Sequence, residues 1–151
     1  MMLPDINILL YSVEADNPHH APAKHWLESA FNTSNSVGLA WLVLVGFVRL
    51  STQPRILKNR LTTAESLAVL NDWIHHPKAQ IIHPGPQHGA LLGSFLVAAG
   101  TAGNLTNDAH LAALAVENNG TIGTFDKDFY RFPGVKVDIL KARYIQNSNL
   151  N

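Results

Sequence analysis

Short apolar runs, each followed by a longer stretch of helical periodicity, set the strongest limit on what this chain can fold into. Met2 to Ile6, Val37 to Leu39, "AQIIH" (79–83) and Thr121 to Phe125 read as short strands, with Val135 to Val137 as the last. Between them lie helical patterns: Asn7 to Val13, then a helix after the Asp16-Asn17-Pro18 turn with Trp26, Leu27, Ala30 and Phe31 on its apolar face. Trp41 to Ser51 reads as a largely buried helix that ends before Pro54. Thr62 with Glu65 forms a capping box for a helix whose Leu67, Leu70, Trp73 and Ile74 point inward. Gln87 to Ala99 and Asp108 to Glu117 follow, the second leaving through Asn118-Asn119-Gly120. Strands that alternate with helices predict a central, mostly parallel sheet covered on both faces, an α/β three-layer sandwich.

No internal repeat or linker divides the 151 residues, so one domain is expected over 1–140, with a polar, loose tail over 141–151. The opening "MMLPDINILLYSVEADN" has no basic leader region and reads as mature structure. The most hydrophobic run, "VGLAWLVLVGFV", falls short of a membrane span, so no membrane association is expected. With no cysteine in the chain, thiolate zinc sites, disulfides and cysteine nucleophiles are excluded, and a cytoplasmic location fits. Formal net charge is zero, so a polyanion must be held by a local patch.

In such sheets ligands bind beyond the carboxyl ends of the strands. Three acids fall at those positions: Asp5 closing the first strand, Asp108 opening a helix, and Asp126 just past the 121–125 strand. Each has an ordinary reading, as a helix N-terminal acid or a turn residue, but Asp5 interrupts an otherwise buried run. Carboxylates brought together repel one another and need a counterion. Hard oxygen donors with room for water favour Mg²⁺, with Mn²⁺ as an alternative, and such an ion suits phosphodiester hydrolysis.

The segments "LPDINILLYS", "GFVRLSTQP" (46–54) and "TNDAHLAALAVENNGTIGTFDKDFYRFPGV" (106–135) resemble the PIN domain, and more narrowly the VapC toxins of prokaryotic toxin–antitoxin pairs. The resemblance covers nearly the whole chain. It implies a Mg²⁺-dependent endoribonuclease, an RNA substrate, a separately encoded antitoxin and a homodimer. Asp5, Asp108 and Asp126 match the family's first, third and fourth acidic positions and would be both metal-binding and catalytic. The second acid, usually Glu, is replaced here by Gly46.

Other residues are weighed beside these. Asn7 could orient Asp5 or could be a helix N-cap; Thr124 could bond a water or phosphate or be present for its β-propensity; Arg49 could contact phosphate or be a plain surface residue. Arg49, Arg55, Lys58 and Arg60 fall within twelve residues, in a stretch without acids from 29 to 64, and form the candidate RNA-binding rim. The eight histidines make no H-E-x-x-H pattern and read as surface or capping residues. Two rivals remain. One is a PIN-like module that binds RNA or protein without cutting, because Gly46 replaces an acid. The other is a haloacid-dehalogenase-type phosphotransferase with Asp5 as nucleophile, poorly matched by Asn7-Ile8.

Overall fold

The computed structural model describes residues 1–142; the expected loose tail therefore lies almost wholly outside the described residues. Five parallel strands, β1 (Met2–Pro4), β2 (Val37–Ala40), β3 (Ala79–Ile82), β4 (Thr121–Thr124) and β5 (Lys136–Ile139), form one sheet in the order β3-β2-β1-β4-β5. The helices are α1 (Ile6–Ser12), α2 (His20–Thr33), α3 (Trp41–Ser51), α4 (Thr63–Ile74), α5 (His88–Ala99) and α6 (Thr106–Glu117). The expected three-layer α/β sandwich is what is found. All four residues of β2, and three successive residues of β4, are buried, which requires cover on both faces of the sheet. The edge strands β3 and β5 are wetter.

Local chemistry accounts for some element ends. The Thr62–Glu65 capping box is closed in both directions, at 3.1 and 2.8 Å. Gly100 ends α5 in the left-handed region at φ 76°, where a side chain would strain the backbone. Among the described residues no helix is long and apolar enough to cross a membrane.

Some packing departs from expectation. Leu67 is 44% exposed, because α4 meets its neighbour one residue earlier, at Ser66, whose hydroxyl lies 2.8 Å from that of Ser51 in α3. The α3 helix is buried on one side only, through Val43, Leu44 and Phe47, and leaves Trp41, Leu42 and Val45 exposed. His88 is neither a surface nor a capping residue. It is buried and joins α5 to α6 through Glu117 and His110, each at 2.9 Å.

The order of the strands positions the site. β1 is bonded to β2 on one side and β4 on the other, so the chain's direction across the sheet reverses between β1 and β4. The crevice beyond their carboxyl ends is where this architecture receives ligands.

Candidate active site

Asp5 follows β1 directly and is the N-cap of α1. Its backbone N–H still donates to Gly123 O of β4 (2.9 Å), while its Oδ1 accepts from Ile6 N (2.6 Å). The first strand is thus shorter than expected, because a side chain that caps the helix stops the ladder at Pro4. Asp5, not Asn7, is the cap.

Across the crevice, Thr124 ends β4 and is fully buried. Its Oγ1 donates to Asp5 Oδ2 (2.6 Å) and accepts from Asn7 Nδ2 (3.1 Å) and Asp126 N (3.0 Å). Asn7 completes the link: Nδ2 donates to Asp5 Oδ2 (2.9 Å) and Oδ1 accepts from Phe125 N (3.2 Å). Asp126 caps the short 3₁₀ turn Lys127–Arg131, its Oδ1 accepting from Asp128 N at 2.8 Å. Asn7 and Thr124 therefore orient Asp5 and the strand end that carries Asp126.

Asp108 arrives from the opposite side, in the first turn of α6. With Asp5 it lines a pocket of about 320 Å³ that also includes Arg49, Gly46, Asn104 and Asn107. Asp126 is not on this wall, but its charge reaches both other acids. Burial, then the carboxylates of Asp5, Asp126 and Asp128, push the Asp108 pKa up to about 7. Burial also raises Asp5, with Asp126 adding to the rise, against hydrogen bonds from Thr124, Ile6 and Asn7 that lower it. The Tyr11 phenol is raised by burial and then by Asp5 and Glu14.

The pocket is thus short of positive charge, and a divalent cation suits it. Among the described residues no three His, Cys, Asp or Glu side chains stand close enough to hold an ion by themselves. A small hard cation that keeps several waters and takes one or two carboxylates fits this spacing; a fully protein-ligated ion does not.

Arg49 is thus the one basic candidate on the pocket wall. Arg55, Lys58 and Arg60 are exposed on the loop after α3, and Arg60 lines a separate recess with Thr52 and Thr62. At position 46, a Cβ would run into Ile6 Cδ1, so Ile6 occupies the space in which an acidic side chain would begin. Sequence reasoning missed Asn104, which carries no periodic or motif signal, and passed over Asn107 although it stands directly before Asp108 in the 106–135 segment.

Stability should report the strained carboxylate. Asp108 titrates near 4 in the unfolded chain and near 7 when folded, so between those values the unfolded state holds fewer protons. Without metal, the ionised form therefore opposes folding, and stability falls as pH rises from about 4 to about 7. His110, whose pKa burial lowers, acts the other way below its unfolded value. The wild-type protein compared with Asp108→Asn by thermal melting at pH 5 and pH 8 isolates the Asp108 share. It is expected to be roughly 1–2 kcal/mol after allowance for solvent screening of a half-exposed group. An equal gap at both pH values would refute the charge argument.

A family model described as "PIN domain" matches residues 2–135. Ribonuclease VapC37 of Mycobacterium tuberculosis is 41% identical over 138 residues, which cover 91% of this chain and 96% of that protein. Ribonuclease VapC33 of the same species is 37% identical over 90% of this chain and 95% of its own length. Among solved structures, VapBC2 from Rickettsia felis bound to a promoter DNA fragment superposes with a TM-score of 0.66 at 20% identity, covering 91% of this chain and 97% of that one. VapBC-1 from nontypeable Haemophilus influenzae gives 0.65 at 16% identity, covering 91% and 96%. At those identities the structures speak for the fold alone.

Proposed function

The chain belongs to the PIN-domain family, and from that premise we propose that it is an endoribonuclease dependent on Mg²⁺, the toxin of a toxin–antitoxin pair. The observation that carries the reading is the shared pocket of Asp5 and Asp108, where the charges of Asp5, Asp126 and Asp128 add to the burial that pushes Asp108 up to about 7, a charge imbalance that a divalent ion would relieve. The names of the ribonuclease relatives support the reaction class.

Asp5, Asp108 and Asp126 would hold the ion, in part through water. When bound, Mg²⁺ would supply Lewis acidity, lowering the pKa of water and neutralising charge on a phosphoryl oxygen. The remaining tasks fall to the chain. Thr124 and Asn7 both donate to Asp5 Oδ2 and are bonded to each other, so they would hold Asp5 in place between the ends of β1 and β4. Arg49, on the pocket wall, would bind the phosphate that flanks the cut. Arg55, Lys58 and Arg60 would meet the backbone farther out, which gives RNA binding a salt dependence.

An antitoxin partner is supported by the structural neighbours, which are VapBC complexes. Exposed apolar side chains would serve an antitoxin or a second copy: Trp41 and Val45 on α3 are 47% and 59% exposed, and Val97 on α5 is 82% exposed. A cytoplasmic site of action follows from this role.

The test is cleavage of a broad RNA pool by the purified protein in Mg²⁺ or EDTA. Discrete fragments that need the metal are expected. RNA bound but left uncut under both conditions would overturn the nuclease and favour the binding-only module, to which the missing acid at Gly46 points.

A further inference from the structure

Three aromatic rings stand against the carboxylate network without entering it. Phe125 lies between Thr124 and Asp126, and Tyr11 lies one helical turn beyond Asn7 on α1. His19 joins them from the turn before α2. Tyr11 and His19 stack with ring centroids 4.9 Å apart and planes inclined by 24°. Phe125 meets Tyr11 at 5.5 Å and His19 at 4.6 Å, both edge-on. Tyr11 and Phe125 pack in part against the core, yet all three rings remain partly exposed.

The placement of His19 is imposed by a buried acid. Asn17 Oδ1 accepts from His19 N (2.9 Å) and lies 3.2 Å from His19 Nδ1. The Asn17 amide nitrogen donates to Glu14 Oε2 (3.1 Å), which fixes which end of the amide faces the ring. Nδ1 is then the protonated nitrogen of the neutral imidazole. Glu14 is 5% exposed, and its other oxygen accepts from Lys58 N at 2.6 Å. One buried carboxylate thus anchors both the ring stack and the loop bearing Arg55, Lys58 and Arg60.

We propose that Tyr11, His19 and Phe125 form a stacking platform for one unpaired nucleobase of the RNA, beside the phosphate that is cut. This rests on the nuclease reading and narrows its substrate class. Aromatic faces hold any base that is free to leave its neighbours, and a continuous A-form duplex does not present its base faces. At that position the RNA therefore offers a base that is not stacked within a duplex.

The experiment places 2-aminopurine at successive positions of a short single-stranded RNA and follows its fluorescence with the full chain in EDTA. Strong quenching at one position is expected, and none when the same RNA is annealed to its complement. His19→Ala, and Phe125→Leu, which keeps apolar bulk without an aromatic face, should abolish the quenching and weaken RNA binding roughly tenfold. In Mg²⁺ they should raise KM more than they lower kcat, and melting curves check that both variants fold. No quenched position with the wild-type chain, or quenching and affinity unchanged in both variants, overturns the platform. Cleavage by the wild-type chain is scored separately. Quenching without cleavage upholds the platform and overturns the nuclease, and cleavage without quenching does the reverse.

Discussion

Asp108→Asn is expected to slow RNA cleavage by roughly 10³-fold, since loss of several kcal/mol of charge stabilisation at 1.36 kcal/mol per tenfold gives that order. The same change should make the metal-free protein more stable at neutral pH, not less. Asp108 makes no side-chain hydrogen bond recorded among the described residues, and its ionised form stands against three other carboxylates. A neutral amide of the same shape removes that repulsion. Opposite signs for activity and stability distinguish a functional carboxylate from a helix-capping one, whose loss would lower stability instead. Asp5→Asn is a less clean experiment. Asp5 accepts from Ile6 N, Asn7 Nδ2 and Thr124 Oγ1, and an amide nitrogen at Oδ2 would face two donors. Cleavage by Asp108→Asn within about threefold of wild type, a barrier change under 1 kcal/mol, would sink the site assignment.

Thr124→Val is expected to weaken Mg²⁺ binding 10- to 100-fold, the usual order for loss of a group that orients a metal ligand. Valine keeps the shape but removes the hydroxyl that donates to Asp5 and accepts from Asn7 and Asp126 N. Asp5 then loses the largest of the interactions that hold its pKa down. Buried groups are left without partners, so a stability loss of about 1–3 kcal/mol should accompany the change. Titration calorimetry with Mg²⁺ measures the affinity, and Thr124→Ser, which retains the hydroxyl, should stay near wild type. Equal affinity in the valine variant would return Thr124 to the role of a plain strand residue.

Helix boundaries show how far local patterns reach. Trp41–Ser51 was legible to the residue, because an apolar period and a following proline are both local signals. The Thr62–Glu65 box was legible for the same reason. Asp5, Asp108 and Asp126 could be singled out because each falls at a strand end or a helix start and Asp5 also breaks a buried run, and the family resemblance supplied their shared role. Leu67 was misread, because an apolar stripe says which face prefers burial but not where a neighbour will touch it. The exposed side of α3 was missed on the same ground. Its hydrophobicity is local information, and its lack of cover is not.

By itself, then, the sequence determined the kinds of elements, their order, the two-sided burial of the sheet and the acids worth testing. These depend on periodicity, capping and turn chemistry, which act over a few residues. Only the tertiary structure decided that Thr124 would donate to Asp5 across 119 residues of chain, that Ile6 would fill the space beside Gly46, and that Glu14 would hold the basic loop through Lys58 N. Each of these follows from the reversal of strand order between β1 and β4 or from the packing of helices around it. Contacts between segments so far apart leave no periodic trace in either one.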